Sequence, residues 1–240
     1  QRLAERHRDE YNIPIVGITG SNGKTVVKEW LYQLISPDKV VVRSPRSYNS
    51  QIGVPLSVWL LQEDTQVGLF EAGISRPGEM LALQEIIQPT IGVLTNLGNA
   101  HQENFATVEE KCREKLRLFH EAGVIVYCMD DELAARCVSE AAFKGELLAW
   151  SCKNANAPMY VQTHTEGLTT EIDYTFKGQL QGRYAIPFID SASVEDSIVA
   201  ATTALQLGIT PDALAERMAK LEPVAMRLEV KEGQHGCTLI

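Results

Sequence analysis

The segment of residues 19–25 carries the residue types that a phosphate-binding loop needs. It reads TGSNGKT and stands between an apolar stretch, residues 13–18, and a helix-like stretch, residues 26–35. Its glycines let the backbone turn tightly, so that successive N–H groups approach an anion, and the following helix adds the positive end of its dipole. The lysine can neutralise the outer phosphates, and the last threonine can bind Mg²⁺. The predicted nucleotide ligands are Gly20, Ser21, Asn22, Gly23, Lys24 and Thr25.

The loop departs from the general Walker pattern at one position. That pattern has a glycine five residues before Gly23, where this sequence has Ile18. The alternative is a glycine-rich turn from strand to helix with a surface lysine. Because the strand, loop and helix occur in the required order, the sequence favours a triphosphate site.

Strand-like and helix-like segments alternate along most of the chain. Strands are predicted at residues 13–18, 40–42, 67–72, 90–95, 124–128 and 147–150, and helices at 26–35, 78–87, 107–120, 131–142, 193–207 and 211–221. This order predicts a doubly wound α/β fold with a mostly parallel sheet, in which the run at 40–42 is a buried strand. Residues 158–187 predict a small antiparallel β appendage. In such sheets, ligands bind beyond the carboxyl ends of the strands.

The composition limits the partners and the compartment. The 240 residues carry a formal charge of −9 at pH 7, which argues against a nucleic-acid-binding surface. No apolar run approaches the length of a membrane span. The five cysteines form no C-x-x-C pair and are odd in number, so neither a zinc site nor a disulfide framework is indicated. We expect a cytoplasmic protein with reduced thiols.

Three further residues could take part in chemistry at the strand ends. Glu71 closes a predicted strand, where it could bind Mg²⁺ beside Thr25 or simply face water. His101 follows another strand after a short loop, as a ligand or as an ordinary surface residue. Lys115 lies on a predicted helix that opens with the capping box of Thr107 and Glu110. By its position in the sequence alone, Lys115 is one of several basic residues on a solvated helix.

Five motifs in this order resemble the central ATPase domain of the Mur ligases of peptidoglycan synthesis. They are GSNGKT at residue 20, YNSQIGVP at residue 48, FEAG at residue 70, TNLGNAH at residue 95 and KLRLF at residue 115. The IGVP segment resembles the branch that adds D-alanyl-D-alanine to UDP-N-acetylmuramoyl-tripeptide. The wording SPRSYN at residue 44 is similar to the form that some bacteria fuse to an alanine racemase.

The resemblance implies an ATP-dependent ligase that forms an amide through an acyl phosphate. Its partners would be UDP-N-acetylmuramoyl-tripeptide and D-alanyl-D-alanine, and its cofactors ATP and Mg²⁺. Lys24 would hold the outer phosphates, Thr25 and Glu71 would bind one Mg²⁺, and His101 a second. Lys115 aligns with the family lysine that CO₂ carbamylates. Asn49, Ser50 and Asn96 would lie near the nucleotide sugar, and Asp196 and Arg227 near ATP.

Two departures from the family pattern remain. The family has a His-Asn-x-x-Asn signature that contacts adenine, where this chain has Ser193 and Asp196 in an arrangement typical of a helix N-cap. We also expect the N-terminal and C-terminal domains of the family to lie outside this sequence. We expect residues 1–12 to be a lead-in from the first domain, 13–225 the central domain and 226–240 the start of the third. Such a fragment, monomeric, would bind ATP weakly and would not ligate.

Two other functions stay open at this point. The chain could belong to a related ligase of the same superfamily, such as a folylpolyglutamate synthase or an enzyme that adds a single amino acid. It could also be a nucleotide-binding module without ligase chemistry, in which His101 and Lys115 have no role.

Overall fold

The fold is described from a computed structural model, which covers residues 1–98, 104–224, 231–232 and 238–239. The helices are α1 (Arg2–Asp9), α2 (Lys24–Ile35), α3 (Gly53–Val58), α4 (Glu79–Ile87), α5 (Val108–Leu116), α6 (Glu132–Glu140), α7 (Ser191–Gln206) and α8 (Pro211–Met218). The strands are β1 (Ile15–Thr19), β2 (Val41–Arg43), β3 (Val67–Glu71), β4 (Ile91–Leu94), β5 (Val124–Cys128), β6 (Glu146–Ser151), β7 (Met159–Glu166), β8 (Thr169–Phe176), β9 (Leu180–Ile186), β10 (Lys231–Glu232) and β11 (Thr238–Leu239).

A nine-stranded sheet in the order β2-β3-β1-β4-β5-β6-β7-β8-β9 organises the molecule. Neighbours from β2 to β7 run parallel, and β8 and β9 are antiparallel, which confirms the predicted α/β class. The predicted β appendage is not separate from this sheet. It joins the main sheet because β7 pairs in parallel with the end of β6, Trp150 opposite Met159. The short strands β10 and β11 form a two-stranded antiparallel sheet.

The sheet is covered on both faces. Helices α2, α7 and α8 pack on one face, where Trp30, Leu34 and Val199 are buried. The remaining five helices pack on the other face, around Phe70 and Met80. Within the described residues, no helix is long and apolar enough to cross a membrane.

Two local expectations need correction, and two helices lie where none was predicted. The strand at 41–43 is half-buried, because β2 is an edge strand with a partner on one side only. Helix α7 begins at Ser191, not at Ser193, because the Asp190 carboxylate accepts the Ser193 N–H at 2.8 Å and caps the helix there. Helices α1 and α3 were not predicted. The caps of Thr107 on α5 and of Thr210 on α8 are confirmed.

The sheet order brings the candidate site together. Strand β1 lies between β3 and β4, with Ile18 paired to Glu71 and Thr19 paired to Leu94. The loop that follows β1 therefore lies beside the ends of both neighbours. Residues far apart in the sequence meet there.

Candidate functional site

The loop between β1 and α2 requires both of its glycines. Gly20 has a φ of +150° and Gly23 a φ of +79°. A Cβ atom on Gly20 would lie 1.9 Å from the Thr95 hydroxyl, and one on Gly23 would lie 2.2 Å from the Asp196 carboxylate. The N-cap residue of α2 is Gly23, which has no side chain to cap the first turn. A bound anion can therefore complete this helix end.

The segment after β4 holds the loop in place. The Ser21 N–H donates to the Asn96 carbonyl at 2.8 Å, and the Asn22 N–H donates to Asn96 Oδ1 at 3.0 Å. The Thr95 hydroxyl donates to the Asn22 carbonyl at 2.5 Å. The Ser21 hydroxyl donates to the Gly98 carbonyl at 2.9 Å. Asn96 is thus a direct contact of the phosphate loop, a position that the sequence alone did not indicate.

Thr25 and Glu71 offer hard oxygen ligands beside the loop. Glu71 is fully buried at the end of β3, and its Oε2 accepts from the Thr25 hydroxyl at 3.2 Å and from Asn49 Nδ2 at 3.5 Å. No set of three or more His, Cys, Asp or Glu side chains within the described residues could hold a metal ion. This donor set fits Mg²⁺, which commonly binds through one or two protein oxygens and completes its shell with water and phosphate.

Two lysines donate to the same carbonyl of the loop. Lys24 Nζ and Lys115 Nζ each lie 2.9 Å from the Gly20 carbonyl oxygen. Lys111, one turn earlier on α5, donates to the Gly98 carbonyl at 2.9 Å. Lys111 and Lys115 are both only 3% exposed, so the expectation of a solvated basic helix is wrong for this face of α5.

Burial changes the protonation of Lys115. Its loss of water contact, followed by the nearby charges of Lys24 and Lys111, lowers the pKa of Lys115 from 10.5 to about 7. A lysine with this pKa has a large neutral fraction at neutral pH. The amine can therefore act as a nucleophile, which an ordinary surface lysine rarely does.

The remaining predicted residues fall into two groups. Asp196 is buried against Gly23, and Asn49 contacts Glu71 while its carbonyl accepts the Gly73 N–H at 2.7 Å. Ser50 lies nearby, where its hydroxyl accepts the Gly53 N–H at 3.2 Å. His101 and Arg227 lie outside the described residues.

Lys28 belongs to this site but was not identified from the sequence. It lies one helical turn after Lys24, is fully buried, and its Nζ lies 2.9 Å from Glu71 Oε1. The spacing of four residues from a phosphate-loop lysine was the available signal, since such residues share one helix face.

A cavity of about 1200 Å³ opens beside Thr25. Arg43 forms part of the cavity wall. Its guanidinium carbon lies 3.4 Å from the Tyr32 ring centre, and its Nε lies 2.9 Å from Glu29 Oε2. The cavity is large enough for a sizeable substrate group. It is lined by Thr25, Glu29, Tyr32, Gln33, Ser36, Arg43, Arg46, Ser47, Lys220, Glu222, Pro223 and Val224.

Two curated relatives of similar sequence carry the same name. The UDP-N-acetylmuramoyl-tripeptide–D-alanyl-D-alanine ligase of Bacillus subtilis is 28% identical, in a match that covers 100% of this chain and 51% of the relative. The enzyme of the same name from Treponema pallidum is 30% identical over 87% of this chain and 44% of the relative. The chain thus spans about half the length of these curated relatives.

Solved structures show the same fold. MurF from Acinetobacter baumannii superposes with a TM-score of 0.87 at 21% identity, over 98% of this chain and 52% of that one. The MurF ligase from Thermotoga maritima, in complex with ADP, superposes with a TM-score of 0.83 at 24% identity, over 97% of this chain and 54% of that one. The family model of the Mur ligase middle domain matches residues 18–204, more than three quarters of the chain. The chain therefore belongs to the Mur ligase family, whose middle domain it contains.

Proposed function

We propose that this chain is the ATP-binding central domain of a ligase that joins D-alanyl-D-alanine to UDP-N-acetylmuramoyl-tripeptide. One observation carries the proposal: Lys24 and the buried Lys115 both donate to the Gly20 carbonyl, and the Thr25–Glu71 pair lies at the start of the helix that follows the same loop. A nucleotide-binding module without ligase chemistry has no need for a buried lysine at this position. The names of the relatives supply the substrates.

The loop residues would bind the triphosphate of ATP. Lys24 now donates to the carbonyls of Gly20 and Ser21, at 2.9 and 3.2 Å. We infer that it exchanges these carbonyls for phosphate oxygens, which accept stronger, charge-assisted hydrogen bonds. The uncapped first turn of α2 adds its N–H groups to the same anion.

Thr25 and Glu71 would hold one Mg²⁺, and His101 a second. The cation supplies neutralisation of the negative charge on the phosphates. Glu71 suits this role because it is already buried and oriented by its contact with Thr25. The protein part of the site is thus arranged in advance, which lowers the cost of ordering it when substrates arrive.

Lys115 would react with CO₂. Its neutral nitrogen attacks the carbon of CO₂, an N–C bond forms, one C=O electron pair moves to oxygen, and one N–H proton passes to solvent. The product is a carbamate with one negative charge in place of the ammonium. Lys24 and Lys111, whose charges disfavour the ammonium of Lys115, would stabilise this anion.

The other assignments follow from position. Asn49, Ser50 and Asn96 would approach the nucleotide sugar, and Asp196 and Arg227 would contact ATP. Residues 13–225 would form the central domain, with 1–12 and 226–240 leading to its two neighbours. We propose a cytoplasmic location and a monomeric state for this part of the protein.

A ligation assay on the full-length protein tests the proposal. D-alanyl-D-alanine should support release of ADP with UDP-N-acetylmuramoyl-tripeptide, and single amino acids should not. Lys115→Ala and His101→Ala should each lower turnover by about 100-fold or more, the scale expected when a group that organises charge at the transition state is removed. Lys144→Ala, an exposed lysine, is the control. Unchanged turnover in both site variants, or a preference for single amino acids, would contradict the assignment.

A further inference from the structure

We propose that Lys28 is a positioning residue that fixes the Glu71 carboxylate for Mg²⁺ and holds the adjoining turn, residues 44–46, against it. This inference rests on the function proposed above. It assigns to a fully buried lysine a task that neither the phosphate loop nor the carbamylation site accounts for.

The Lys28 ammonium lies at the centre of a buried polar cluster. Its Nζ is 2.9 Å from Glu71 Oε1 and 3.1 Å from Glu29 Oε1. It also donates to the carbonyls of Ser44, at 2.7 Å, and of Arg46. A buried ammonium is expensive unless carbonyls and carboxylates surround it in this way. The surrounding carboxylates and carbonyls therefore stabilise the charged form of the Lys28 side chain.

The contacts give the two oxygens of Glu71 different surroundings. Oε1 faces Lys28, whereas Oε2 faces the Thr25 hydroxyl and the Asn49 amide. Because the ammonium holds one oxygen, the carboxylate cannot rotate freely. Oε2 stays beside Thr25, where the proposed Mg²⁺ needs a ligand.

The same ammonium holds a strained turn. Arg46 is a non-glycine residue with a φ of +48°, which lies in the left-handed region. The Ser44 hydroxyl accepts the backbone N–H of Glu71 at 3.2 Å. The turn is therefore joined to Glu71 both by this hydrogen bond and through the Lys28 ammonium. The turn leads to Asn49, which contacts Glu71 Oε2 at 3.5 Å. Lys28 thus sets both the orientation of the ligand and the position of its neighbour.

The cluster also reaches the large cavity beside Thr25. Glu29 contacts Lys28 on one side and Arg43 on the other, and Glu29 and Arg43 both line the cavity. A chain of alternating charges therefore runs from Arg43 through Glu29 and Lys28 to Glu71. Without Lys28, Glu29 and Glu71 would lose the ammonium that both carboxylates contact, and the ion pair that holds Glu71 Oε1 would be gone.

Binding of a non-hydrolysable ATP analogue to the full-length protein tests this inference. Affinity is measured by calorimetry in EDTA and at a series of Mg²⁺ concentrations. In Lys28→Met, we expect the Mg²⁺ concentration at half-maximal effect to rise by about tenfold or more. The affinity in EDTA should stay within about twofold of the original, because Lys24 and the loop are unchanged. A general loss of structure would lower both affinities together.

Two further variants complete the test. Lys28→Gln keeps hydrogen-bond donors for the turn but removes the charge, so it should show the same shift in Mg²⁺ dependence if Lys28→Met does not fold. Lys144→Met removes an exposed lysine that does not line this cavity, and it should leave the Mg²⁺ dependence unchanged.

The outcomes separate this inference from the proposed function. The positioning role would be overturned if the Lys28 variants had the same Mg²⁺ dependence as the parent protein. It would also be overturned if they lost affinity equally with and without Mg²⁺. Failure of the unmodified protein to bind the analogue would contradict the proposed function itself, and the inference would fall with it.

Discussion

Charged residues are used in opposite ways at the carboxyl ends of β1 and β3 and on the antiparallel strands β8 and β9. Lys28 and Glu71 form an ion pair in which neither side chain is exposed. Arg183 and Asp173 form a pair with nearly the same separation, 2.7 Å, but 61% and 50% of these side chains are exposed. Two ion pairs of similar geometry therefore occur in very different environments, one buried and one exposed to water.

The difference shows where the fold tolerates an energetic cost. An exposed pair changes stability by only about 0–1 kcal/mol, and water replaces it easily. Buried ions cost several kcal/mol unless other groups compensate them, so they are rarely kept for stability alone. The three buried lysines of the candidate site, Lys28, Lys111 and Lys115, therefore indicate a functional role, whereas the paired charges on β8 and β9 are consistent with solubility and register.

The largest effect should come from the loop lysine. Lys24→Met removes the cation that faces the phosphates, and we expect the affinity for ATP to fall by about 100-fold, which corresponds to roughly 2.7 kcal/mol. Lys177→Met, which removes an exposed partner of Glu146 at the antiparallel edge, should leave the affinity unchanged. Calorimetric titration with an ATP analogue and Mg²⁺ measures both. Similar affinities for the two variants would remove the contrast between the regions.

Lys115 should destabilise the folded state at low pH. Its pKa is about 7 in the folded protein and near the ordinary value of 10.5 when unfolded, so the unfolded state binds more protons between these values. When Lys115 is not carbamylated, the stability of the protein therefore rises with pH across that window. The full cost of the buried ammonium is present below pH 7.

In CO₂-free buffer, Lys115→Met should raise the free energy of unfolding at pH 6 by roughly 1–4 kcal/mol, since one pKa unit corresponds to about 1.36 kcal/mol. The gain should shrink as the pH rises from 7 towards 10. Urea unfolding at several pH values measures it. A gain that is the same at pH 6 and pH 9 would show that the ammonium is not penalised in the fold.

Two glycines with similar backbone conformations offer a matched test. Gly23 has a φ of +79° and Gly178 a φ of +69°, but only Gly23 has a neighbour, Asp196, within reach of an added Cβ. Gly178→Ala should cost roughly 1–2 kcal/mol, the strain of the left-handed region alone. Gly23→Ala should cost about 1 kcal/mol more, because Asp196 must move. Thermal unfolding compares them, and equal costs would mean that Asp196 yields freely.

The smallest effect should come from the exposed pair on β8 and β9. A double-mutant cycle of Arg183→Ala and Asp173→Ala should give a coupling energy smaller than any of the effects above, and added salt should reduce it. A coupling energy as large as the cost of Gly178→Ala would show that the antiparallel edge relies on its charges more than its exposure suggests.

Local pattern was enough to predict most of the elements. Strand β5 was predicted with its observed ends, and α8 was predicted from the cap at Thr210 and the proline that follows it. Helix α3 was not predicted because Gly53 and Pro55 are weak helix formers. Packing against α4 overrides that preference. The sequence analysis did not single out Lys28, because its partners are distant in the sequence, as with Glu71 and the Ser44 carbonyl.

The sequence by itself determined the order of strands and helices, the loop at residues 19–25 and the presence of a carboxylate at a strand end. These are local properties, set by periodicity, glycine and the chemistry of single side chains. Tertiary structure alone decided which lysines are buried and which oxygen of Glu71 faces Thr25. The contact between Lys115 and the Gly20 carbonyl joins residues 95 positions apart. Protonation depends on such neighbours, because desolvation and nearby charge act through space and not along the chain.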